Sequence, residues 1–155
     1  MTKNAQKDNG LQSQIGRTGC SGGRSQPNPE NESPVILGAQ GEAIAEEYLR
    51  RKRGFNILLR NWHNPYDRRE EIDLVALHAS AIVFVEVKTR RAGGLVPGYF
   101  AVGRRKRKAL GRAVRAFLGL QSHSPRTYRF DVIEVELGAG PPTIRHFENV
   151  GLFFR

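Results

Sequence analysis

The chain has 155 residues and a net charge of +10, with 25 lysines and arginines against 15 aspartates and glutamates. Its single cysteine, Cys20, excludes a disulfide and a cysteine-based metal site, and no apolar run approaches the 18 residues of a membrane span. We therefore expect one cytoplasmic domain with no membrane contact. The charge favours a polyanionic partner, nucleic acid or an acidic surface, over a charge that merely aids solubility.

Residues 1–34 contain almost no bulky apolar side chains, which predicts a disordered N-terminal tail. This tail has four basic and three acidic residues, about +1 of the net charge. The remaining excess therefore belongs to the predicted domain, residues 35–155.

Val35–Arg53 is predicted to be a helix, because apolar residues recur at helical spacing and Gly54 follows a basic last turn. Glu42 lies at the edge of the apolar face. From spacing alone, an ordinary carboxylate near the helix N-terminus is the simpler interpretation of Glu42.

Glu71–Thr89 predicts a hairpin, since two segments rich in Val, Ile, Leu and Phe flank a short break. A turn centred on Ala79-Ser80 places Asp73 opposite Glu86, although Ala-Ser is a poor two-residue turn. On the same face lie Lys88 and the pairs Val75–Phe84 and Leu77–Ile82. The opposite face pairs Ile72 with Val87, Leu74 with Val85 and Ala76 with Val83.

Two carboxylates in facing positions lie roughly 5 Å apart at Cβ and repel each other strongly in a buried setting. Such a pair persists if one group holds a proton or a cation lies between them. Mg²⁺ suits this place, because one or two carboxylates plus phosphate oxygens and water commonly hold it. Lys88 would then point toward a phosphate bound by the metal.

The other segments predict a mixed sheet with helices on both faces, an α/β fold of order α-β-β-β-α-β. The predicted elements are a strand over Phe55–Asn61, a polar loop over Trp62–Arg69, a helix from Tyr99 or Val102 to Leu120, a strand over Tyr128–Leu137 and a short last strand over Ile144–Phe147.

The basic residues predict a nucleic-acid surface in two places. Arg90 and Arg91 begin a Gly- and Pro-containing segment that is predicted to be a mobile loop. Five consecutive basic residues then start the second helix, and their spacing turns Lys106 inward toward the apolar stripe. These five are Arg104, Arg105, Lys106, Arg107 and Lys108. A solvated helix face is the alternative.

Several motifs resemble the YraN-like bacterial proteins of the restriction-endonuclease-like superfamily. They are Gly41-Glu42 with Ala45 and Tyr48-Leu49, Asn61, Glu71-Ile72-Asp73-Leu74, Phe84-Val85-Glu86-Val87-Lys88-Thr89-Arg90 and Arg129-Phe130-Asp131-Val132. The resemblance spans Val35 to about Val150. It departs at Glu70, where relatives usually have Gly, and at Arg107, where they often have Gln.

The resemblance implies a restriction-endonuclease-like fold and a Mg²⁺- or Mn²⁺-dependent nuclease site. It assigns the superfamily's Asp and Glu-x-Lys signature to Asp73, Glu86 and Lys88, and it adds Glu42 as a further metal ligand. The predicted function is endonucleolytic cleavage of DNA, including branched or damaged DNA, and a homodimer would suit cleavage of both strands. The alternatives are a nucleic-acid-binding protein without chemistry and a protein that binds an acidic partner.

Overall fold

A computed structural model describes residues 33–93, 103–121 and 127–152. Over these residues the chain forms two helices and five strands. In chain order they are α1 (Pro34–Arg53), β1 (Asn56–Asn64), β2 (Asp67–His78), β3 (Ala81–Arg91), α2 (Arg104–Gly119), β4 (Tyr128–Leu137) and β5 (Thr143–Phe147). Within those ranges, neither helix has the length and apolar character needed to cross a membrane.

The five strands form one mixed sheet in the order β1-β2-β3-β4-β5. β3 and β4 are parallel, and the other neighbouring strands are antiparallel. The predicted mixed sheet, the strand over Tyr128–Leu137 and the short last strand are therefore confirmed. Disorder was predicted for residues 1–34, of which residues 1–32 lie outside the described ranges. Most of the loop predicted after Arg91 also lies outside them.

α1 ends at Arg53 as predicted and begins at Pro34, one residue before the predicted start and within the segment predicted to be disordered. The Ser33 hydroxyl accepts a hydrogen bond from the N–H of Ile36 at 3.4 Å, and Pro34 occupies the first turn. Gly54 ends the helix in the left-handed region, with φ +71°. Gly41 lies where α1 crosses β3, and a Cβ at this position would overlap the side chain of Thr89. The helix can therefore approach the strand closely only with glycine there.

The buried side chains form two clusters, each containing one helix. Residues of α1 pack with Phe55, Ile57, Leu74, Ala76, Val83, Val85, Val87, Ile133 and Val135. Residues of α2 pack with Ile72, Val75, Phe84, Phe130, Val132 and Leu152. These are the apolar contacts that hold the two helices against the sheet.

Side-chain alternation along β2 is interrupted at Asp73. Ile72 was expected on the face of Leu74 and Ala76, but it packs in the α2 cluster beside Val75. The prediction that Ile72 shares that face is wrong, because strict period-two alternation does not hold across Asp73.

The polar loop predicted over Trp62–Arg69 is also wrong. β1 continues to Asn64, and β2 starts at Asp67 after a turn at Pro65 and Tyr66. Polar side chains are stable in these strands because they pair with each other: Asn64 Nδ2 donates to Glu70 Oε2 at 2.8 Å. Arg90 and Arg91, which were expected to open a loop, instead complete β3.

Candidate functional site

The hairpin of β2 and β3 has the predicted register. A two-residue turn at Ala79 and Ser80 joins the strands, and Ala79 accommodates it by adopting φ +53°. The paired residues run from His78–Ala81 to Leu74–Val85. Asp73 and Glu86 occupy the next positions, just beyond this ladder.

Asp73 is tied to β3 by its side chain. Its Oδ2 accepts a hydrogen bond from the backbone N–H of Val87 at 2.7 Å. An N–H that would otherwise serve a strand ladder is thus used to orient a carboxyl group. Asp73 is 9% exposed and Glu86 only 1%, so both acids are removed from water.

Glu86 has one satisfied and one unsatisfied oxygen. Its Oε1 lies 2.5 Å from Lys88 Nζ, two residues along the same strand. Its Oε2 is buried and has no hydrogen-bond partner in the part of the chain that the structure describes. A buried carboxylate oxygen without a partner is costly, and such an atom in a native protein calls for an explanation.

The pKa of the Asp73 carboxyl is raised to about 7. Burial is the largest cause, and the charge of Glu86 is the second. The hydrogen bond from Val87 and the charge of Lys106 act in the opposite direction but do not cancel the rise. The two acids therefore disfavour simultaneous ionisation unless a further cation joins them.

Asn61 of β1 lies at the level of Asp73 and adopts φ +47°. Asn tolerates this left-handed conformation better than most residues do. The register pairs on either side of it are Arg60–Leu74 and Trp62–Ile72. The change in side-chain direction at Asp73 is thus matched by a left-handed residue in the neighbouring strand.

Lys106 of α2 reaches the same site from a different element. Its Nζ lies 3.4 Å from Glu86 Oε1 and 3.3 Å from Glu71 Oε1. Burial lowers the pKa of Lys106, but the carboxylates of Glu86, Asp73 and Glu71 outweigh it, and the pKa is raised on balance. Lys106 is therefore held here as a cation.

Glu42 of α1 lies near the two acids. It is partly buried on α1 and acts on the pKa of Asp73 through its charge, as the smallest of the causes. It lines a pocket of about 200 Å³ with residues of α1, β1 and β2, namely Ala39, Ala43, Glu46, Arg60, Asn61 and Leu74. Among the described residues, no group of three His, Cys, Asp or Glu side chains is placed to hold a metal ion.

Comparison with known proteins places this chain in a family. Residues 41–135 match the model of uncharacterised protein family UPF0102. The chain belongs to the UPF0102 family. A UPF0102 protein of Geobacter metallireducens is 40% identical over 113 residues, which cover 73% of this chain and 89% of that protein. UPF0102 proteins of Rhodococcus opacus and Syntrophotalea carbinolica are 39% and 42% identical, covering 74% and 73% of this chain and 95% and 89% of those proteins.

The resemblance to the YraN-like proteins is confirmed by this membership. The matched UPF0102 segment contains Glu42, Asp73, Glu86 and Lys88. The family description names no activity. Any inference about the chemistry of the site therefore rests on the geometry of this chain.

Two groups of predicted nucleic-acid contacts in this UPF0102 protein have different surroundings. The Arg90 guanidinium is paired with the buried Glu134 of β4 and lies 3.9 Å from Glu136. Arg91 ends β3 and is partly buried. At the start of α2, by contrast, Arg104, Arg105 and Lys108 are exposed, while Lys106 and Arg107 are partly buried.

The predicted proximity of Asp73 to Glu86 and of Glu86 to Lys88 is seen in the structure, whereas two neighbouring features were not predicted. Helical spacing predicted that Lys106 points inward, but it did not predict that Lys106 contacts Glu71 and Glu86. The left-handed Asn61 was missed, although an Asn within a strand-like segment is a known signal for such a conformation. Asp131, in the last of the motifs quoted from the sequence, forms a salt bridge with Arg129 at 3.0 Å.

Proposed function

We propose that this UPF0102 protein is a metal-dependent endonuclease that hydrolyses phosphodiester bonds in DNA. The observation that carries the proposal is the buried Glu86 carboxylate, whose Oε2 has no partner among the described residues. Across the hairpin is a second buried acid, Asp73, whose raised pKa reflects burial and the charge of Glu86. A divalent cation between the two acids would give Glu86 Oε2 a partner and would favour the ionised form of both carboxyl groups.

The donor set fits magnesium or manganese. Carboxylate oxygens are the ligands these hard cations prefer, and Mg²⁺ commonly uses one or two of them with water and phosphate oxygens. Asp73 and Glu86 would hold the ion, and Glu42 would complete the shell through water. When bound, the ion polarises the scissile phosphate and lowers the pKa of a coordinated water.

Lys88 has a separate role in this proposal. Its side chain is 33% exposed, and its Nζ is 2.5 Å from Glu86 Oε1. It would orient the Glu86 carboxylate and present an ammonium group to the substrate phosphate. A positive charge fixed there stabilises the negative charge that develops as water attacks phosphorus.

We also infer a restriction-endonuclease-like arrangement, with the helices on the two faces of the sheet. Support comes from consecutive residues of β2: Leu74 packs in the α1 cluster, whereas Val75 packs in the α2 cluster. Neighbouring residues of a strand point to opposite faces, which suits a site on two interior strands of a sheet covered on both sides.

The start of α2 is the proposed DNA contact. Arg104, Arg105 and Lys108 are exposed there, and Lys106 ties this end of the helix to Glu86. Cations beside a hydrolytic site bind phosphates on either side of the scissile bond and set the register of the substrate. A homodimer would supply a second site for the other strand.

Cleavage of DNA with Mn²⁺ or Mg²⁺ tests the proposal. Duplex, branched and single-stranded DNA would be compared, with RNA as a further substrate. We expect Glu86→Gln and Lys88→Gln to lose on the order of 100-fold in rate. Glu47→Gln, at an exposed position on α1, is the matched control and should cleave as the unaltered protein does. Absence of metal-dependent cleavage, or equal cleavage by all variants, would overturn it.

The second candidate is a nucleic-acid-binding protein without chemistry. It is favoured by the two ammonium groups, Lys88 and Lys106, that already contact Glu86 Oε1. DNA binding that persists in the Glu86→Gln variant, with no Mn²⁺ binding by the unaltered protein, would support it. Removing Arg104, Arg105 and Lys108 together should reduce the slope of log K against log salt by about 3 in either case.

A further inference from the structure

Lys106 bridges two carboxylates that differ in their access to solvent. Glu86 is the inner one, 1% exposed, and Glu71 is the outer one, with 46% of its side chain exposed. The Lys106 side chain is 30% exposed and contacts one oxygen of each. A long, flexible lysine between an inner and an outer acceptor can exchange partners without rearrangement of the backbone.

Lys88 and Lys106 are not equivalent neighbours of Glu86. Lys88 belongs to the same strand as Glu86, and its Nζ is at 2.5 Å. Lys106 belongs to α2, and its Nζ is at 3.4 Å from the same Oε1. The second contact is longer and comes from another element, so it is the one that can be given up more easily.

We propose that Lys106 is a built-in counter-ion of the Asp73–Glu86 pair, which a divalent cation displaces toward Glu71. This inference rests on the proposed metal site and adds a regulatory role for a residue outside the signature motif. A divalent cation at Glu86 is repelled by the Lys106 ammonium, so the lysine lowers the affinity of the site for metal. Glu71 reduces that penalty by accepting the displaced ammonium.

Removal of Lys106 and removal of Glu71 should change the affinity for Mn²⁺ in opposite directions. Lys106→Gln abolishes the competing charge, so Mn²⁺ binding should tighten, by about tenfold, which is typical of coupled binding events. Glu71→Gln removes the outer acceptor and leaves Lys106 at Glu86, so Mn²⁺ binding should weaken. A role of Lys106 confined to phosphate contact predicts neither change in the absence of DNA.

Isothermal titration calorimetry with MnCl₂ on the full chain, without nucleic acid, measures these effects. Lys52→Gln is the matched control: it removes one lysine charge at an exposed position on α1 and should leave the Kd for Mn²⁺ unchanged. Thermal unfolding gives a second readout. Added Mg²⁺ should raise the Tm of Lys106→Gln more than that of the unaltered protein, because a tighter ligand stabilises the folded state more.

The outcomes separate the two proposals. Mn²⁺ binding that Glu86→Gln abolishes but Lys106→Gln leaves unchanged would overturn the counter-ion role alone. An equal effect of Lys52→Gln would do the same, since it would reveal a general charge effect. Absence of binding by both the unaltered protein and Lys106→Gln would overturn the metal site and, with it, this inference. Should Lys106→Gln fail to fold, tighter or unchanged binding by Glu71→Gln contradicts the inference equally well.

Discussion

Asn61 of β1 lies opposite Asp73 of β2, and its φ of +47° is left-handed. The side chain before it, Arg60, contacts Glu46 of α1 at 2.5 Å, whereas the side chain after it, Trp62, packs edge-on against a phenylalanine of α2. β1 therefore changes the direction of its side chains at the level where β2 does so. The backbone at Asn61 and the orientation of the Asp73 carboxyl are parts of one irregularity.

Asn61→Val should destabilise the fold by about 1–2 kcal/mol, because a β-branched residue is strained at this φ. Asn61→Gly should cost less, since glycine adopts the conformation freely. Urea unfolding gives both values. Asn56→Val, an exposed position of the same strand without a positive φ, is the control and should stay within about 0.5 kcal/mol of the unaltered protein. Equal stability of the two valine variants would contradict the left-handed conformation.

Asp73→Asn should stabilise the metal-free protein increasingly as pH rises. The folded pKa of Asp73 is about 7, above its unfolded value near 4, so between these values the folded state retains a proton that the unfolded state has lost. Stability therefore falls through this window, and the asparagine variant escapes that loss while still accepting the Val87 N–H. We expect a gain on the order of 2 kcal/mol at pH 8 and little at pH 4.

Urea unfolding in EDTA from pH 4 to pH 8 measures the difference, with Glu47→Gln, an exposed carboxylate on α1, as the matched control. The stability difference between Asp73→Asn and the unaltered protein should change sign when metal is added. Added Mg²⁺ should stabilise the unaltered protein but not Asp73→Asn, which has lost a ligand. A difference that is constant with pH would exclude a raised pKa for Asp73.

Gly41→Ala should destabilise the protein by about 1–3 kcal/mol, because the added Cβ overlaps the Thr89 side chain where α1 crosses β3. Gly38→Ala on the same helix meets no atom within 4 Å and should stabilise it by up to about 1 kcal/mol through helix propensity. Denaturant unfolding compares the two. Adding Thr89→Ala to Gly41→Ala should recover part of the loss, and a Gly41→Ala protein as stable as Gly38→Ala would exclude the close approach.

The hairpin register followed from an assumed turn at Ala79-Ser80, and the apolar pattern supported that assumption although the turn residues did not. Leu74, Val75, Phe84 and Val85 fill both faces of a two-stranded unit, and a shift by one residue would have exchanged the charged and apolar positions. The same period-two rule failed for Ile72, because the rule assumes a uniform backbone conformation and the paired strand has a left-handed residue at Asn61.

The strand ends around Pro65 could not be predicted from local composition. A polar segment is typical of a loop when its partners are unknown, and the partners of Glu70 are Asn64 and Arg112, the latter 42 residues away. The position of Lys106 could be predicted in part. Helical spacing determined the side of α2 on which it lies, but the contacts with Glu71 and Glu86 depend on how α2 docks.

Arg112→Ala should destabilise the protein through Glu70, which is 6% exposed and accepts hydrogen bonds from Arg112 and Asn64. These two hydrogen bonds, that of Arg112 first, lower the pKa of Glu70. Removing the guanidinium leaves a buried carboxylate with one partner, at a cost of about 1–2 kcal/mol, moderated because Arg112 is half exposed. Lys108→Ala, an exposed site on the same helix, should change stability by less than about 0.5 kcal/mol.

The deficit of Arg112→Ala should depend on pH in the direction opposite to the Asp73 effect. A carboxyl whose folded pKa is depressed contributes stability above its unfolded pKa, and that contribution is lost as pH falls through the folded value. The difference between Arg112→Ala and the unaltered protein should therefore be full at pH 7 and shrink below about pH 4. Adding Glu70→Gln should remove most of the deficit at pH 7, because no buried charge then remains. A deficit that persists in the double variant would place the contribution of Arg112 in its packing and not in its ion pair.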